Sequence, residues 1–194
     1  GPQHGEVVLA GELATFMPEP DYSGEDQFAF IASDGTMDSR PAAVTITVQA
    51  VNDPPTVEPL AKVTAEDTPV TLTLRSEDVD GDSLTFTLKT SPTNGTAALV
   101  DNTVAYVPAE DFHGDDHFTY VANDGTVDSA PATIAITVTP VNDDPTGGAL
   151  VETTAEDTPI TFALVGDDVD GDALTYAVDD GPTDGELSIV GDSA

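Results

Sequence analysis

The residues of this sequence with the clearest chemical potential are carboxylates in short, closely spaced clusters. In Asp78-Val79-Asp80-Gly81-Asp82, the alternate acidic side chains can converge on one point. Oxygen ligands of this kind suit Ca²⁺, which takes about six to eight oxygens at roughly 2.3–2.6 Å. One loop cannot supply so many oxygens, so we expect several loops to contribute to one site.

Other candidate ligands stand at separate points of the chain, where the fold must bring them together. They are Asn52, Asp53, Glu66, Glu110, Asp111, Asp124, Asn142, Asp143, Asp168 and Asp170. A solvated acidic turn is the alternative for each cluster, and for Asp115, Asp116 and Asp128 both interpretations stay open. Cation binding is favoured for the cluster at 77–82 together with the linker, because 15 acidic residues face three basic ones in 51–140 and would repel one another without counter-ions.

Composition excludes several classes of function. The 194 residues include 37 Asp+Glu against 4 Lys+Arg, a net charge of -33, and no Cys. Such a chain repels nucleic acid and anionic bilayers, and it can form neither disulfides nor thiolate metal sites. A cation is therefore the expected charged partner. No stretch reaches the ~18 apolar residues of a membrane helix, so we expect no membrane insertion, and no targeting signal is recognisable.

An internal repeat organises the chain. VNDPPT at 51–56 recurs as VNDDPT at 141–146, and AEDTPVTLTL at 65–74 recurs as AEDTPITFAL at 155–164, both ninety positions later. This period predicts the second half of one repeat, a complete repeat and the first half of a third, at 1–50, 51–140 and 141–194. We interpret the chain as part of a longer protein.

Short runs rich in Thr, Val, Ile and aromatic residues alternate with Gly, Asp, Asn and Pro, which predicts an all-β domain. The expected strands of the complete repeat are 56–59, 69–75, 83–89, 95–100, 102–107, 116–122 and 132–139. Seven short strands in about 90 residues are typical of a Greek-key sandwich. In the last strand Ile134, Ile136 and Val138 should face inward, and Asn94-Gly95 is a hairpin-turn signal.

Catalytic and EF-hand interpretations find little support. After Asp78 the EF-hand positions that require Gly and a bidentate acid hold Ser83 and Lys89. Paired carboxylates suit glycosidases, yet an equivalent set one repeat away is unexpected for an active site. His113 has Ser23 at the equivalent position of the preceding repeat, which favours a surface role for this histidine.

Taken in order, these motifs resemble the tandem cadherin-like repeats of large bacterial surface and secreted adhesins. The resemblance covers essentially the whole chain and is carried by Val-Asn-Asp-x-Pro-Thr at the linkers, Ala65-Glu66-Asp67, Asp78-Val79-Asp80, Glu110-Asp111 and Ala122-Asn123-Asp124-Gly125. The period is shorter than that of animal cadherins, and the acidic motif lacks its Arg.

The resemblance implies tandem seven-stranded Greek-key sandwiches with Ca²⁺ bound at the junctions between repeats, which would turn a string of modules into a stiff rod. By position, the first junction would use Glu19 or Asp21, Asn52, Asp53, Asp78, Asp80 and Asp124. The second would use Glu66, Glu110 or Asp111, Asn142, Asp143, Asp168 and Asp170.

The function expected from this resemblance is a non-enzymatic, calcium-binding spacer or adhesion repeat of an extracellular bacterial surface protein. Its partners would be calcium ions, neighbouring repeats and a surface polysaccharide or another adhesin. Two alternatives stay open. One is a polysaccharide-binding module that uses Tyr106 or Tyr120, and the other is an inert accessory domain of a secreted enzyme.

Overall fold

The structure, a computed structural model, describes residues 1–189, and its regular elements there are all β-strands. The last five residues of the predicted third segment lie outside the described residues. In the N-terminal segment the strands are β1 (Gly5–Ala10), β2 (Leu13–Pro18), β3 (Gly24–Phe30) and β4 (Ala42–Val48). They form two separate antiparallel pairs, β1 with β2 and β3 with β4.

The central repeat contains the two larger sheets. Its strands are β5 (Thr56–Val57), β6 (Leu60–Ala65), β7 (Val70–Thr73), β8 (Ser76–Glu77), β9 (Thr85–Leu88), β10 (Gly95–Val100), β11 (Thr103–Pro108), β12 (Gly114–Asn123) and β13 (Ala132–Thr139). One sheet has the order β6-β13-β12-β9 and the other β10-β11-β7. The β6–β13 pair is parallel, and the other pairs of these two sheets are antiparallel.

A single apolar core holds the two sheets together. Its fully buried large side chains are Tyr106, Tyr120, Phe118, Leu74, Ile134, Ile136 and Val104. The rings of Tyr106 and Phe118 come from opposite sheets and stack with centroids 6.1 Å apart. Strand β13 alternates buried and exposed positions along its whole length, which confirms that Ile134, Ile136 and Val138 face inward. The predicted all-β sandwich is therefore confirmed.

Two local predictions were wrong. The 60–65 strand was not anticipated, because Pro59 and the charged Lys62 interrupt the apolar pattern, but β13 offers its free edge and β6 pairs there. The Asn94-Gly95 signal does not mark a hairpin, because the strands on either side of it, β9 and β10, lie in different sheets. The hairpin turn is Asp101-Asn102, between β10 and β11. Gly95 instead begins β10, where a Cβ would lie 2.9 Å from the ring of Tyr106.

The C-terminal segment has little regular structure within the described residues. It contains one short pair, β14 (Thr146–Gly147) with β15 (Gly166–Asp167). This pair repeats β5 with β8 in the central repeat, ninety positions earlier. Each pair joins the end of a linker, 51–56 or 141–146, to the residues just before an acidic loop, 78–82 or 168–172. The pairs therefore fasten each linker to the repeat that follows it.

Candidate metal centre

Glu66 is brought to the second linker by the parallel β6–β13 pair. Both strands end at the same edge of the sheet, where the backbone N–H of Glu66 donates to the carbonyl of Thr139 at 2.9 Å. The Glu66 side chain is 2% exposed. Its Oε1 accepts a short hydrogen bond from the backbone N–H of Val141. The end of the central repeat therefore holds the start of the linker through a buried carboxylate.

Carboxylates from three parts of the chain meet at this point. Oxygens of Glu66 in the central repeat, Asp143 in the linker and Asp170 in the following repeat lie within 4.8 Å of one another. The backbone N–H of Asp143 donates to Asp170 Oδ2 at 2.7 Å, which fastens the linker to the following repeat. The fold thus brings together three of the predicted ligands of the second junction.

Asp143 belongs to a second group as well, with Asp67 and Asp111, whose oxygens also lie within 4.8 Å of one another. Asp67 and Asp111 occupy turns before β7 and β12, and the backbone N–H of Asp111 donates to Asp67 Oδ1 at 3.3 Å. Both have positive φ, 53° and 56°. Asp is one of the residues enriched in this left-handed conformation, which turns the chain sharply at both positions.

Without a bound cation, the surroundings of the Asp143 carboxylate disfavour its charged form. Its Oδ2 atom is buried and has no hydrogen-bond partner among the described residues. Burial raises the pKa of Asp143, and neighbouring carboxylates raise it further, namely those of Asp111, Asp170, Glu66 and Asp67. A divalent cation would relieve this repulsion and supply the missing partner of Oδ2. The all-oxygen donor set fits a hard cation such as Ca²⁺.

The first linker repeats part of this geometry. The backbone N–H of Asp53 donates to Asp80 Oδ2 at 2.8 Å, as Asp143 does to Asp170. The side chain of Asn52 donates to Asp124 Oδ2 at 2.8 Å, which draws the Asn123–Thr126 turn towards the linker. Asn142 donates to the carbonyl of Asp143 at 2.8 Å. Linker and acidic loop are thus joined in the same way at both junctions.

The predicted Asp78, Asp80 and Asp82 cluster does converge, because oxygens of all three lie within 4.8 Å of one another. Asp78 Oδ1 accepts the backbone N–H groups of Asp80 and Asp82 at 3.0 and 3.1 Å, which folds the loop around it. Asp78 Oδ2 is buried and unpartnered among the described residues. In the next repeat Asp168 holds Asp170 and Asp172 through the same two bonds, each at 3.1 Å.

Other candidates have different roles or stand apart. Glu110 is exposed and belongs to none of the three carboxylate groups found in residues 1–189. Asp116 is a buried structural residue, because its carboxylate accepts backbone N–H bonds from Thr93, Asn94 and His117. Asp128 pairs with Lys89 at 2.8 Å.

Two neighbours of the centre were absent from the predicted ligand set. Asp67 follows Glu66 and is repeated as Asp157, a recurrence that could have identified it. His113 Nδ1 lies 3.7 Å from Glu66 Oε2. Because Ser23 stands at the equivalent position, no repeated signal marked this histidine.

The aromatic residues named for sugar binding are unavailable for stacking. Tyr106 and Tyr120 are fully buried, and the Tyr120 hydroxyl donates to the carbonyl of Glu58 at 2.6 Å. The polysaccharide-binding alternative therefore loses both residues on which it relied. Among the described residues, no helix has the length and apolar character needed to cross a membrane.

Comparison with solved structures finds cadherin domains. Protocadherin Gamma B2 extracellular cadherin domains 1-5 match at TM-score 0.50 and 14% identity, over 86% of this chain and 38% of that one. Human mucin-like protocadherin EC1-2 matches at TM-score 0.45 and 23% identity, over 73% and 85%. At 14% identity the first of these matches bears on the fold alone.

An endo-fucoidan hydrolase of glycoside hydrolase family 107 matches at TM-score 0.39 and 25% identity, over 73% of this chain. The chain spans 23% of that enzyme's length. No curated protein sequence matches the chain.

The family comparison agrees with the repeat and the sandwich described above. The family model for the bacterial Ig domain matches residues 1–47 and 52–137, and the second match begins at Asn52 in the first linker. This assignment favours a non-catalytic module, and a repeat of this kind fits a spacer or adhesion role. The chain belongs to the bacterial Ig domain family, and its repeats are of the cadherin-like and Ig-like type.

Proposed function

We propose that this chain is a calcium-stiffened spacer or adhesion segment of an extracellular bacterial protein, with repeats divided at 1–50, 51–140 and 141–194. One observation carries the proposal: Asp143 in the linker belongs to two carboxylate groups, one shared with the central repeat and one that also includes the following repeat. An ion held there would bond to both repeats and to the segment between them.

The mechanism is a balance between repulsion and coordination. In the bare protein the carboxylates around Asp143 repel one another, and the linker is held by the hydrogen bonds of Val141 and Asp143. Bound Ca²⁺ would replace this repulsion with ion–carboxylate attraction, so the arrangement of the two repeats would become more rigid. If Ca²⁺ binds only the folded chain, free Ca²⁺ at 100 times the dissociation constant raises the free energy of unfolding by about 2.7 kcal/mol.

Second-junction ligands would be Glu66, Asp67, Asp111, Asp143 and Asp170. Asn142 and Asp168 support this set by holding the linker and the acidic loop in place. At the first junction the ligands would come from Asp78, Asp80 and Asp82, with Asn52, Asp53 and Asp124 organising the linker beside them. Loss of the ion would leave flexible joints between folded repeats.

The test is isothermal titration of the whole chain with Ca²⁺ and with Mg²⁺, alongside thermal unfolding in EDTA and in each ion. We expect a Ca²⁺ stabilisation that Mg²⁺ does not match, because Mg²⁺ retains its waters and demands stricter octahedral geometry. Asp143→Asn should weaken Ca²⁺ binding at the second junction by about tenfold or more, since removing a carboxylate lowers the ligand charge.

Asp101→Asn provides the matched control. Asp101 is an exposed aspartate with φ of 54°, so it resembles Asp67 and Asp111 in backbone conformation but lies in the β10–β11 turn, outside the three carboxylate groups of residues 1–189. This variant should bind Ca²⁺ like the unaltered chain. Equal affinities for all three proteins, or no heat of binding at all, would contradict the proposal.

A further inference from the structure

Strand β10 forms an open edge of the central repeat. It ends the sheet β10-β11-β7, and no strand of residues 1–189 pairs with its other side. Leu99 of β10 lines a cavity of about 480 Å³ with Leu84 and Phe86, so the space beside this edge is not filled. Unpaired backbone N–H and C=O groups along such an edge are a template for another strand. The edge of β10 is therefore accessible to a partner chain.

The other edges of this sandwich are protected, whereas β10 is not. Strand β6 carries Lys62, and β7 and β9 are only four residues long. Charged side chains and short edge strands are common means by which natural sheets avoid pairing with other chains. Strand β10 is six residues long, and its sequence, GTAALV, contains no charged residue and no Pro.

This lack of charge distinguishes β10 from its equivalents in the other repeats. Glu6 and Glu186 stand ninety positions before and after Thr96. Glu6 is exposed on β1, which pairs with β2 in the same register as β10 with β11. Like charges that face each other across two strands are destabilising. The chain therefore has an edge carboxylate at both positions equivalent to Thr96, but not at Thr96 itself.

The surface beside the edge is uncharged as well. The outward-facing side chains of β10 are Thr96, Ala98 and Val100, and Val100 is 69% exposed. Their cross-strand neighbours on β11 are also uncharged, namely Val107, Ala105 and Thr103. In a chain with a formal net charge of -33, this is a surface where two copies can meet without bringing carboxylates into contact.

The free backbone groups of β10 have a defined phase. The carbonyl of Asn94 accepts a hydrogen bond from the backbone N–H of Ala109, on the β11 side, at 2.9 Å. The direction of backbone hydrogen bonds alternates along an antiparallel strand. Ala97 and Leu99, at odd spacing from Asn94, therefore direct their N–H and C=O groups towards the free edge.

We propose that two copies of this chain associate by antiparallel pairing of their β10 strands, which joins their three-stranded sheets into one. Ala97 would exchange backbone hydrogen bonds with Leu99 of the second copy, and Ala98 would face its own counterpart on the two-fold axis. Thr96 would face Val100 of the second copy. A second copy is the matched occupant because this pairing is self-complementary and keeps uncharged, outward-facing side chains on one face. The inference does not depend on the metal proposal.

Charge on the rest of the chain opposes this contact. Each copy has a formal net charge of -33, so copies repel one another at low ionic strength. Salt at physiological strength screens charges that are more than about 8 Å apart. Association through β10 should therefore strengthen as salt is added, whereas a contact held by ion pairs would weaken.

Disulfide trapping on the full chain tests the pairing directly. The protein has no cysteine, so Ala98→Cys introduces the sole thiol of each copy. Facing residues of a non-hydrogen-bonded pair have Cα atoms about 4.5 Å apart, within the roughly 4.4–6.8 Å of disulfides. Under mild oxidation in EDTA, Ala98→Cys should form a disulfide-linked dimer about tenfold faster or more than Thr71→Cys, because pairing raises the effective concentration of its thiols. Thr71 is the matched control, exposed on β7 at the opposite edge of the same sheet.

Sedimentation velocity in EDTA tests the edge itself. The unaltered chain should form a dimer and nothing larger as its concentration rises, because the pairing uses the β10 edge of both copies. Thr96→Glu introduces the residue type found at both equivalent positions. It should lower the association constant by about tenfold or more, because the symmetric pair then holds two carboxylates at an uncharged edge. Thr71→Glu adds the same charge on β7 and should associate like the unaltered chain.

A double variant tests the register. In Thr96→Glu with Val100→Lys, the introduced side chains of opposite charge would face each other across the two strands, so association should recover. Recovery would also show that Thr96→Glu does not act by unfolding the repeat. Four outcomes would each overturn the proposal: a monomer at every concentration, association that Thr96→Glu leaves unchanged, equal cross-linking of the two cysteine variants, or a double variant that stays dissociated.

Discussion

The central repeat and the N-terminal segment share a sequence pattern but differ in burial. Asp26 accepts backbone N–H bonds from Gln3, His4 and Gln27, in the positions where Asp116 accepts those of Thr93, Asn94 and His117. The β1–β2 hairpin also has the same register as β10–β11.

What differs is the apolar face. Phe118 is fully buried, whereas its counterpart Phe28 is half-buried. The comparison shows that hairpins and Asp-centred loops form from local sequence, whereas the core requires partner strands that are distant in the chain. Substitutions at equivalent positions can therefore separate local from tertiary contributions to stability.

The largest difference should come from the buried phenylalanine. Phe118→Ala is expected to lower the free energy of unfolding of the central repeat by about 3–5 kcal/mol, because it leaves a cavity between the two sheets. Phe28→Ala should leave that transition unchanged. Urea unfolding followed by circular dichroism measures both. Similar losses for the two variants would show that the N-terminal segment unfolds together with the central repeat.

A pH effect of intermediate size should come from Asp116. Burial raises the pKa of this carboxyl, but the hydrogen bonds from Thr93, Asn94, His117 and Tyr106 outweigh it, so the pKa lies below its ordinary value. A lowered folded-state pKa means that the stabilisation is present above the unfolded pKa, about 3.9, and is lost as the pH falls through the folded value.

Urea unfolding in EDTA at a series of pH values below about 5 measures this loss. Asp116→Asn should show a smaller decline towards acid, because its side chain no longer titrates. It should also be less stable near neutral pH by about 1.5–3 kcal/mol, the contribution of hydrogen bonds to a charged group. A variant with the same acid decline as the unaltered chain would show that other carboxylates dominate it.

The smallest effect concerns a hydrogen bond to the central carboxylate that Asp116 accepts and Asp26 does not. The Tyr106 hydroxyl donates to Asp116 Oδ2 at 3.0 Å, whereas Phe16 stands at the equivalent position beside Asp26. Tyr106→Phe should cost about 1 kcal/mol of unfolding free energy. Phe16→Tyr should leave the transition of the central repeat unchanged. Equal stability of Tyr106→Phe and the unaltered chain would mean that the hydroxyl bond makes no net contribution.

The fold was predictable where repetition and alternation coincide. Strands 95–100 and 132–139 were predicted with the observed bounds. In 132–139 Thr and Ala alternate with Ile and Val, and 95–100 is bounded by the turn residues Asn94 and Asp101. Strand β6 escaped prediction because Lys62 and Pro59 mask an edge strand whose pairing depends on β13. The Asn94-Gly95 signal was misleading, because Gly95 is required for the close approach of Tyr106 rather than for a turn.

The candidate site was partly predictable for the same reason. Repetition identified the acidic loop and the linker, and the structure places Asp143 with Glu66 and Asp170. Repetition of the sequence could not distinguish Glu110 from its neighbour Asp111. Glu110 is exposed and lies outside the carboxylate groups of residues 1–189, whereas Asp111 lies with Asp67 and Asp143. That distinction depends on the direction of the chain at a turn where Asp111 has positive φ. The division into repeats and the ligand roles both stay predictions.

Residue type and short-range spacing are enough to specify the acidic, cysteine-free chemistry, the ninety-residue period, the β-class and the local loops. Which carboxylates meet at a junction, and which aromatic residues are buried, depends on the packing of the whole chain. Glu66 and Asp170 are more than one hundred residues apart, and their meeting at Asp143 depends on the parallel β6–β13 pair and on the fastening of the linker to the next repeat. Such contacts follow from strand pairing over long sequence separations, which residue spacing does not specify.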